Sequence, residues 1–159
     1  MEALFTNQIH QRKLENKVLL IPDPKSKRLI LTIPSELLFI SGRATLSGKS
    51  AYTVKQLTEI LKGVKNSVEI VGHADPTPIS QENSSYDSNW ELSLQRAVSL
   101  SQQMRKNGYY RPLHIRGLSS SLYTSLPKRF SEQQRLDISR RVDIIIYDKD
   151  EKFSERLGL

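Results

Sequence analysis

Apolar and polar positions along the first 34 residues predict a short helix followed by a β-hairpin. Two β-favouring runs, 17–21 and 29–33, flank a connection that contains two prolines and small polar residues, which is typical of a hairpin. Ahead of them, residues 3–15 place Leu4, Phe5 and Ile9 loosely on one side of a helix. A helix this short is marginal in isolation, so we expect a linker or docking element there rather than core.

Helical and β-type spacing then alternate along the rest of the chain. Apolar residues recur at helical spacing over 51–64, with Gly63 near the expected end of the helix. The β-branched run 67–71 predicts a strand that leads into the loop 72–75. A Pro- and Ser-rich loop follows over 76–87.

A capping box marks the start of the next helix. Ser88 and Glu91 have the Ser-x-x-Glu form, and the helix they open should run to about Asn107. Strand signals return at 113–118 and 141–147, separated by a loop over 119–130 and a short helix around 131–138. On the long helix one stripe is expected to face the core: Trp90, Leu94, Ala97, Ser101 and Met104.

This order of elements predicts an α/β sandwich, also described as α+β, in which helices pack on a mixed sheet behind the hairpin. The 159 residues, 37% of them hydrophobic, suffice for one domain with its own core. We place that domain at 17–147, after a linker or short helix over 1–16 and before a charged tail over 148–159. The apolar runs are far shorter than the roughly 20 residues of a membrane span, and the first residues lack a signal-peptide pattern.

The net charge and the residue composition exclude several classes of partner and site. The net charge of +7 attracts polyanions, but the basic residues are dispersed, with neither an Arg-rich arm nor an aromatic RNA-binding strand, so no nucleic-acid partner is expected. Anionic wall polymers or lipid headgroups fit such a domain outside the cytoplasm. The absence of Cys excludes disulfides and Cys-based metal sites.

No catalytic arrangement is visible in the sequence. His10, His73 and His114 lack metal-ligand spacing, and Ser119 to Ser121 lack the pattern of a nucleophile elbow. We therefore expect no enzyme activity, metal or cofactor, and we expect His73 to pack or bond within its own loop.

Two charged residues lie where a fold alone would not require them. Asp75 follows a predicted strand, and Arg96 shares one side of the long helix with Asn89 and Leu92. Together a carboxylate and a guanidinium suit a zwitterion, since Arg96 would hold a carboxylate and Asp75 an ammonium. Spacing alone favours the plainer interpretation, in which Asp75 turns its loop and Arg96 lies on a solvated helix face.

Four segments, in order along roughly residues 35–147, resemble the OmpA-like C-terminal domain of bacterial envelope proteins, most closely the version in MotB-type flagellar stator proteins. They are Leu-Phe-Ile-Ser-Gly-Arg-Ala-Thr-Leu (38–46), Gly-His-Ala-Asp-Pro-Thr-Pro-Ile (72–79), Ser-Asn-Trp-Glu-Leu-Ser-Leu-Gln-Arg-Ala (88–97) and Ser-Arg-Arg-Val-Asp-Ile (139–144). Ala74 and Ser139 depart from the usual Thr and Asn of that family.

The resemblance implies a periplasmic domain that binds peptidoglycan noncovalently through the diaminopimelate residue of the stem peptide. Asp75 and Arg96 match the positions that hold its zwitterionic end, which reverses the preference drawn from spacing. The remaining positions expected at the site are Ala74, Asn89, Leu92, Ser93 and Arg141. Asn89 has helix capping as an alternative role, and Arg141 is either a ligand contact or a salt-bridge residue at the start of a strand.

The same resemblance suggests partners. It implies a homodimer and a MotA-like membrane subunit, reached through an N-terminal transmembrane helix that this chain lacks. Two alternatives stay open: an OmpA-like wall anchor of another envelope complex, such as a secretion system or lipoprotein, and an enzyme that acts on peptidoglycan.

Overall fold

A computed structural model of the chain, which describes residues 1–79 and 86–148, contains a five-stranded mixed sheet. The strands lie in the order β1-β2-β5-β3-β4; only the β3 and β4 pair is parallel, and the other neighbours are antiparallel. Their bounds are β1 Leu19–Asp23, β2 Arg28–Pro34, β3 Val68–Gly72, β4 Leu113–Gly117 and β5 Arg141–Tyr147. The predicted α/β sandwich with a mixed sheet is therefore confirmed.

The helices follow the predicted order, with one addition. They are α1 Glu2–Gln11, α2 Ala51–Lys62, α3 Asn89–Lys106, α4 Ser121–Ser125 and α5 Glu132–Ser139, with 3₁₀ turns at Ser35–Leu37 and Gly48–Ser50. The one-turn helix α4 lies in a segment predicted as loop, because five residues are too few for a periodic apolar pattern. Within the described ranges, none of the helices has both the length and the apolar character needed to cross a membrane.

The main core lies on one face of the sheet, beneath α2 and α3. Alternate residues of β2, β3 and β5 point to this face and are fully or almost fully buried. The opposite face carries a smaller apolar cluster of Val71, Ile145 and Tyr147. The sheet lies between these two clusters, and the loops that follow β3 and β4 extend from one end of it.

The N-terminal helix belongs to the core, contrary to the expectation of a linker or docking element. Phe5, Ile9 and Leu14 are almost completely buried in the main cluster. Arg12 donates to the Gln56 side chain of α2 at 2.7 Å. The apolar spacing of α1 is weak, but tertiary burial decides the stability of so short a helix.

The buried face of α3 is rotated from the predicted stripe. Ala97, Ser101 and Met104 are buried as expected, whereas Trp90 is 57% and Leu94 is 41% exposed, so the core assignment of Trp90 was wrong. Near its N-terminus α3 instead faces the sheet with residues 92, 93 and 96. Ser93 is small enough to let the helix backbone come close to the strands, which an indole at that place would prevent.

Two glycines at the ends of β3 and β4 make this close approach possible. A Cβ atom on Gly72 would lie 2.0 Å from the Ser93 carbonyl oxygen, and one on Gly117 would lie 2.5 Å from the Leu94 nitrogen. Both obstacles are helix backbone, which cannot rotate aside like a flexible side chain. The position of α3 over the strand ends therefore requires both residues to lack a side chain.

Gly72→Ala is expected to lower the free energy of unfolding by about 3 kcal/mol, because the new methyl group would push α3 away from the sheet. Urea unfolding measures the change. Gly48→Ala is the matched control, since a Cβ there meets nothing within 4 Å. The control should be neutral or up to about 1 kcal/mol more stable; equal losses from both variants would contradict the packing argument.

Candidate functional site

A cleft of about 540 Å³ opens at the end of β3, between the following loop and the first turns of α3. Asp75 and Thr77 contribute from the loop, and Asn89, Leu92 and Arg96 contribute from the helix. The Asn89 side-chain amide donates to the Thr77 carbonyl oxygen at 3.1 Å, so loop and helix are joined directly. The Asp75 loop and the first turn of α3 therefore lie side by side at the end of β3.

The loop that carries Asp75 is held by backbone hydrogen bonds from two sides. The His73 N–H donates to the Arg141 carbonyl oxygen at 3.0 Å, and the Ala74 N–H donates to the Ser119 carbonyl oxygen at 2.8 Å. The Thr77 N–H then donates to Asp75 Oδ1 at 2.8 Å and closes an Asx-type turn. Backbone hydrogen bonds thus place the carboxylate at the cleft, and the carboxylate also makes the turn that spacing alone favoured.

Arg96 is a buried cation, not the solvated residue that spacing alone suggested. Its side chain leaves the residue only 7% exposed, and its guanidinium stacks 5.3 Å from the centre of the Phe39 ring. Its Nε donates to the Arg43 carbonyl oxygen at 3.0 Å. Among the described residues no hydrogen bond engages its two terminal nitrogens, which leaves the fork available to an anion.

Burial sets the electrostatics of Arg96. Desolvation lowers the pKa of its guanidinium, and electrostatic interactions with the nearby Tyr86 and Asp75 partly oppose that shift. The guanidinium of Arg96 nevertheless stays charged at physiological pH, because the ordinary pKa of arginine lies far above neutrality. A desolvated cation with unused donors gains more from an incoming carboxylate than an exposed one does.

Arg140, at the end of α5, is a cleft residue that the sequence analysis did not identify. Its Nε lies 3.6 Å from Asp75 Oδ2, and its Nη2 lies 2.6 Å from Asp137 Oδ1. The signal was present as the Arg140-Arg141 pair, but spacing does not show which of two adjacent arginines faces the cleft. The segment 41–43, which the resemblance included without a role, forms the opposite rim.

The other expected site residues divide into two groups. Ala74, Asn89 and Leu92 line the cleft. Ser93 and Arg141 are absent from its lining: Ser93 is fully buried, and its hydroxyl accepts from the Ser119 N–H at 3.0 Å. Ser93 therefore ties α3 to the loop after β4.

Arg141 takes the salt-bridge alternative left open above. Its Nε lies 3.1 Å from Asp143 Oδ1, and Nη2 donates to Oδ2 at 3.2 Å. Asp143 also accepts from the Thr32 hydroxyl at 2.8 Å. Arg140 lies in the cleft, whereas Arg141 belongs to the sheet, because Arg141 is the first residue of β5 and pairs with Pro34 of β2.

A buried polar network lies directly behind the Asp75 loop. His73 Nε2 is 3.0 Å from Asp143 Oδ2, so His73 bonds to β5 and not within its own loop as expected. Burial alone would raise the pKa of Asp143, but the His73 hydrogen bond, the Arg141 charge and the Thr32 hydroxyl outweigh it and lower the pKa below its usual range. This carboxylate is therefore ionised and structural.

The charges of the cleft define what it could bind. A carboxylate at Asp75 and a guanidinium fork at Arg96, whose two terminal nitrogens have no hydrogen-bonded partner within the ranges that the structure describes, are complementary to a group that carries an ammonium and a carboxylate. Leu92 supplies an apolar wall for a short hydrocarbon stem. Among residues 1–79 and 86–148, no group of three or more metal-ligating side chains is gathered.

The fold and this cleft define a class of protein: a mixed-sheet α/β domain that presents an acidic loop and a buried helix arginine where the inner strand β3 ends. The model of the OmpA family matches residues 38–121, which contain β3, α3 and β4. The chain belongs to the OmpA family.

Two comparisons show which proteins the chain is similar to. The chain is 35% identical over 92 residues to motility protein B of Bacillus subtilis, an alignment that covers 57% of this chain and 34% of that protein. It thus spans about a third of the length of that relative. A MotB-like protein of Desulfovibrio vulgaris superimposes with a TM-score of 0.81 at 20% identity, over 96% of this chain and 91% of that one.

Two further structures share the fold. The cell wall anchor of the type VI secretion system of Pseudomonas aeruginosa gives a TM-score of 0.74 at 23% identity, over 91% of this chain and 96% of that one. The periplasmic domain of Helicobacter pylori MotB gives 0.71 at 19% identity, over 89% and 85% of the two chains. At these identities the likeness concerns the fold.

Asp143→Asn is expected to lower the free energy of unfolding by about 3 kcal/mol, because Arg141 would lose its buried carboxylate. Glu59→Gln, which removes a half-exposed partner of Lys62, is the control and should cost less than about 1 kcal/mol. Urea unfolding at neutral pH compares the two variants.

The pH dependence supplies a second readout. Because the pKa of Asp143 is lowered on folding, its stabilisation is present above the ordinary pKa of about 4 and is lost as the pH falls through the folded-state value. The wild type should therefore lose more stability than Asp143→Asn between about pH 5 and pH 2. Parallel pH profiles would contradict the role of the ionised carboxylate.

Proposed function

We propose that this domain binds peptidoglycan noncovalently through the diaminopimelate residue of the stem peptide, and that it anchors a larger envelope protein to the cell wall. One observation carries the proposal: the buried Arg96 fork, with no bonded partner at its terminal nitrogens in the described chain, shares a cleft with Asp75. The side-chain end of diaminopimelate offers a carboxylate to the first and an ammonium to the second. Within this proposal the domain is an anchor without catalytic activity.

The stator role is the finer part of the proposal. Sequence identity of 35% to motility protein B favours the wall-binding part of a MotB-like stator subunit. Such a subunit would lie in the periplasm on a membrane anchor outside this chain, form a homodimer and work with a MotA-like membrane partner. The likeness to the wall anchor of a type VI secretion system favours the second candidate, an anchor of another envelope complex.

Arg96→Ala should weaken co-sedimentation with purified sacculi by about tenfold or more, because loss of a charge-assisted partner costs roughly 1.5–3 kcal/mol. Lys106→Ala is the control of equal charge on the same helix but outside the cleft, and it should change binding little. Circular dichroism verifies that both variants are folded.

Two outcomes would contradict this prediction. Equal losses from both variants, together with collapse of binding in added salt, would indicate nonspecific attraction of a cationic domain to an anionic wall. Release of soluble muropeptides during the incubation would instead identify a hydrolase.

Ligand identity is tested with two stem peptides. Lysine lacks the side-chain carboxylate of diaminopimelate but keeps the ammonium, so the lysine peptide would leave Arg96 unpaired and should bind at least about tenfold more weakly. Arg96→Ala should remove most of that difference, as measured by calorimetry or NMR titration. Equal affinities of the wild type for both peptides would mean that the cleft recognises another part of the wall.

A further inference from the structure

The carboxylate of Asp75 is already occupied in the ligand-free domain. Its Oδ1 accepts the Thr77 N–H at 2.8 Å, and its Oδ2 faces Arg140 Nε at 3.6 Å. The side chain of Asp75 is 15% exposed, so little of it is hydrated. A ligand ammonium that approaches Oδ2 therefore meets a resident cation at the same oxygen.

Arg140 has a second carboxylate partner, Asp137, which would still bind its guanidinium after a ligand ammonium had displaced it from Asp75. Its Nη2 lies 2.6 Å from Asp137 Oδ1, one turn earlier on α5. Arg140 and Asp137 have side-chain exposures of 46% and 60%, so both can rotate without disturbing the core. The 2.6 Å contact with Asp137 is a hydrogen bond, whereas the 3.6 Å contact with Asp75 is an ion pair without one.

We propose that Arg140 is a specificity-determining residue: it holds Asp75 in place of a ligand ammonium and yields to that ammonium by moving onto Asp137. This inference rests on the proposed function, because it concerns the same cleft. A ligand that brings an ammonium replaces the resident cation at Asp75. A ligand that brings only carboxylates leaves Arg140 in place and uses it beside Arg96 as a second cation.

Arg140 thus reduces the difference in affinity between ligands that carry an amine and ligands that carry only carboxylates. It competes with an ammonium and assists a lone carboxylate, so its removal should move the two affinities in opposite directions. An exposed ion pair of this kind changes an equilibrium by up to about fivefold, which sets the size of the expected effect.

The test uses two small molecules with the same seven-carbon skeleton, meso-diaminopimelate and pimelate, which differ by the amines. NMR titration of the wild-type chain and of Arg140→Gln gives four affinities. In Arg140→Gln, diaminopimelate should bind about threefold more tightly and pimelate about threefold more weakly. Arg129→Gln, a change of an exposed arginine outside the cleft, should leave both affinities as in the wild type.

A second variant probes the partner that receives Arg140. Asp137→Asn removes that alternative carboxylate, so Arg140 should hold Asp75 more firmly and diaminopimelate should bind more weakly. Adding Asp137→Asn to Arg140→Gln should not change the affinity for diaminopimelate further, because Asp137 acts only through Arg140 and that arginine has been replaced.

The outcomes separate the two proposals. Weaker binding of both ligands to Arg140→Gln would identify Arg140 as a direct ligand contact and overturn the competition, as would an unchanged ratio of affinities. Failure of the wild type to bind either diaminopimelate or sacculi would overturn the proposed function itself. Opposite shifts for the two ligands, with the nonadditive double variant, would support the inference.

Discussion

The close contact between the α3 backbone and the glycines at the ends of β3 and β4 governs the geometry of the cleft. Because Gly72 and Gly117 carry no side chain, the helix lies directly over the strand ends at Ser93 and Leu94. Arg96 is one turn further along that helix, and Asp75 is three residues beyond Gly72. One packing contact therefore sets the distance between the two charged groups on which binding would depend.

Contacts on both sides of the cleft hold its charged groups in position before a ligand binds. The Phe39 ring and the Arg43 carbonyl oxygen hold the Arg96 guanidinium, while backbone hydrogen bonds from neighbouring segments hold the Asp75 loop. Orienting a long arginine side chain in advance removes part of the entropy lost on binding. Burial of that cation is unfavourable in the free domain, and an incoming carboxylate offsets it.

The polar network behind the loop links the cleft to the sheet. Asp143 of β5 joins Thr32 of β2 to His73, the residue two places before Asp75. Such networks are stabilising only when their charges are matched, and the lowered pKa of Asp143 shows that its partners compensate its burial. His73 thereby connects the Asp75 loop to the sheet.

Local patterns were enough to predict the strands, the major helices and the α/β class, because alternation, helical spacing and capping are properties of neighbouring residues. The pairing of Asp75 with Arg96 was expected only from the resemblance to a known family, since spacing alone favoured a turn residue and a solvated helix face. Long-range packing decided the rest. The weak apolar spacing of α1 gave no indication of its burial, and the stripe through Trp90 misplaced the buried face, since two distant glycines determine which side of α3 meets the sheet. Likewise, adjacent Arg140 and Arg141 are equivalent in the sequence; only the start of the β5 ladder directs one to the cleft and the other to Asp143.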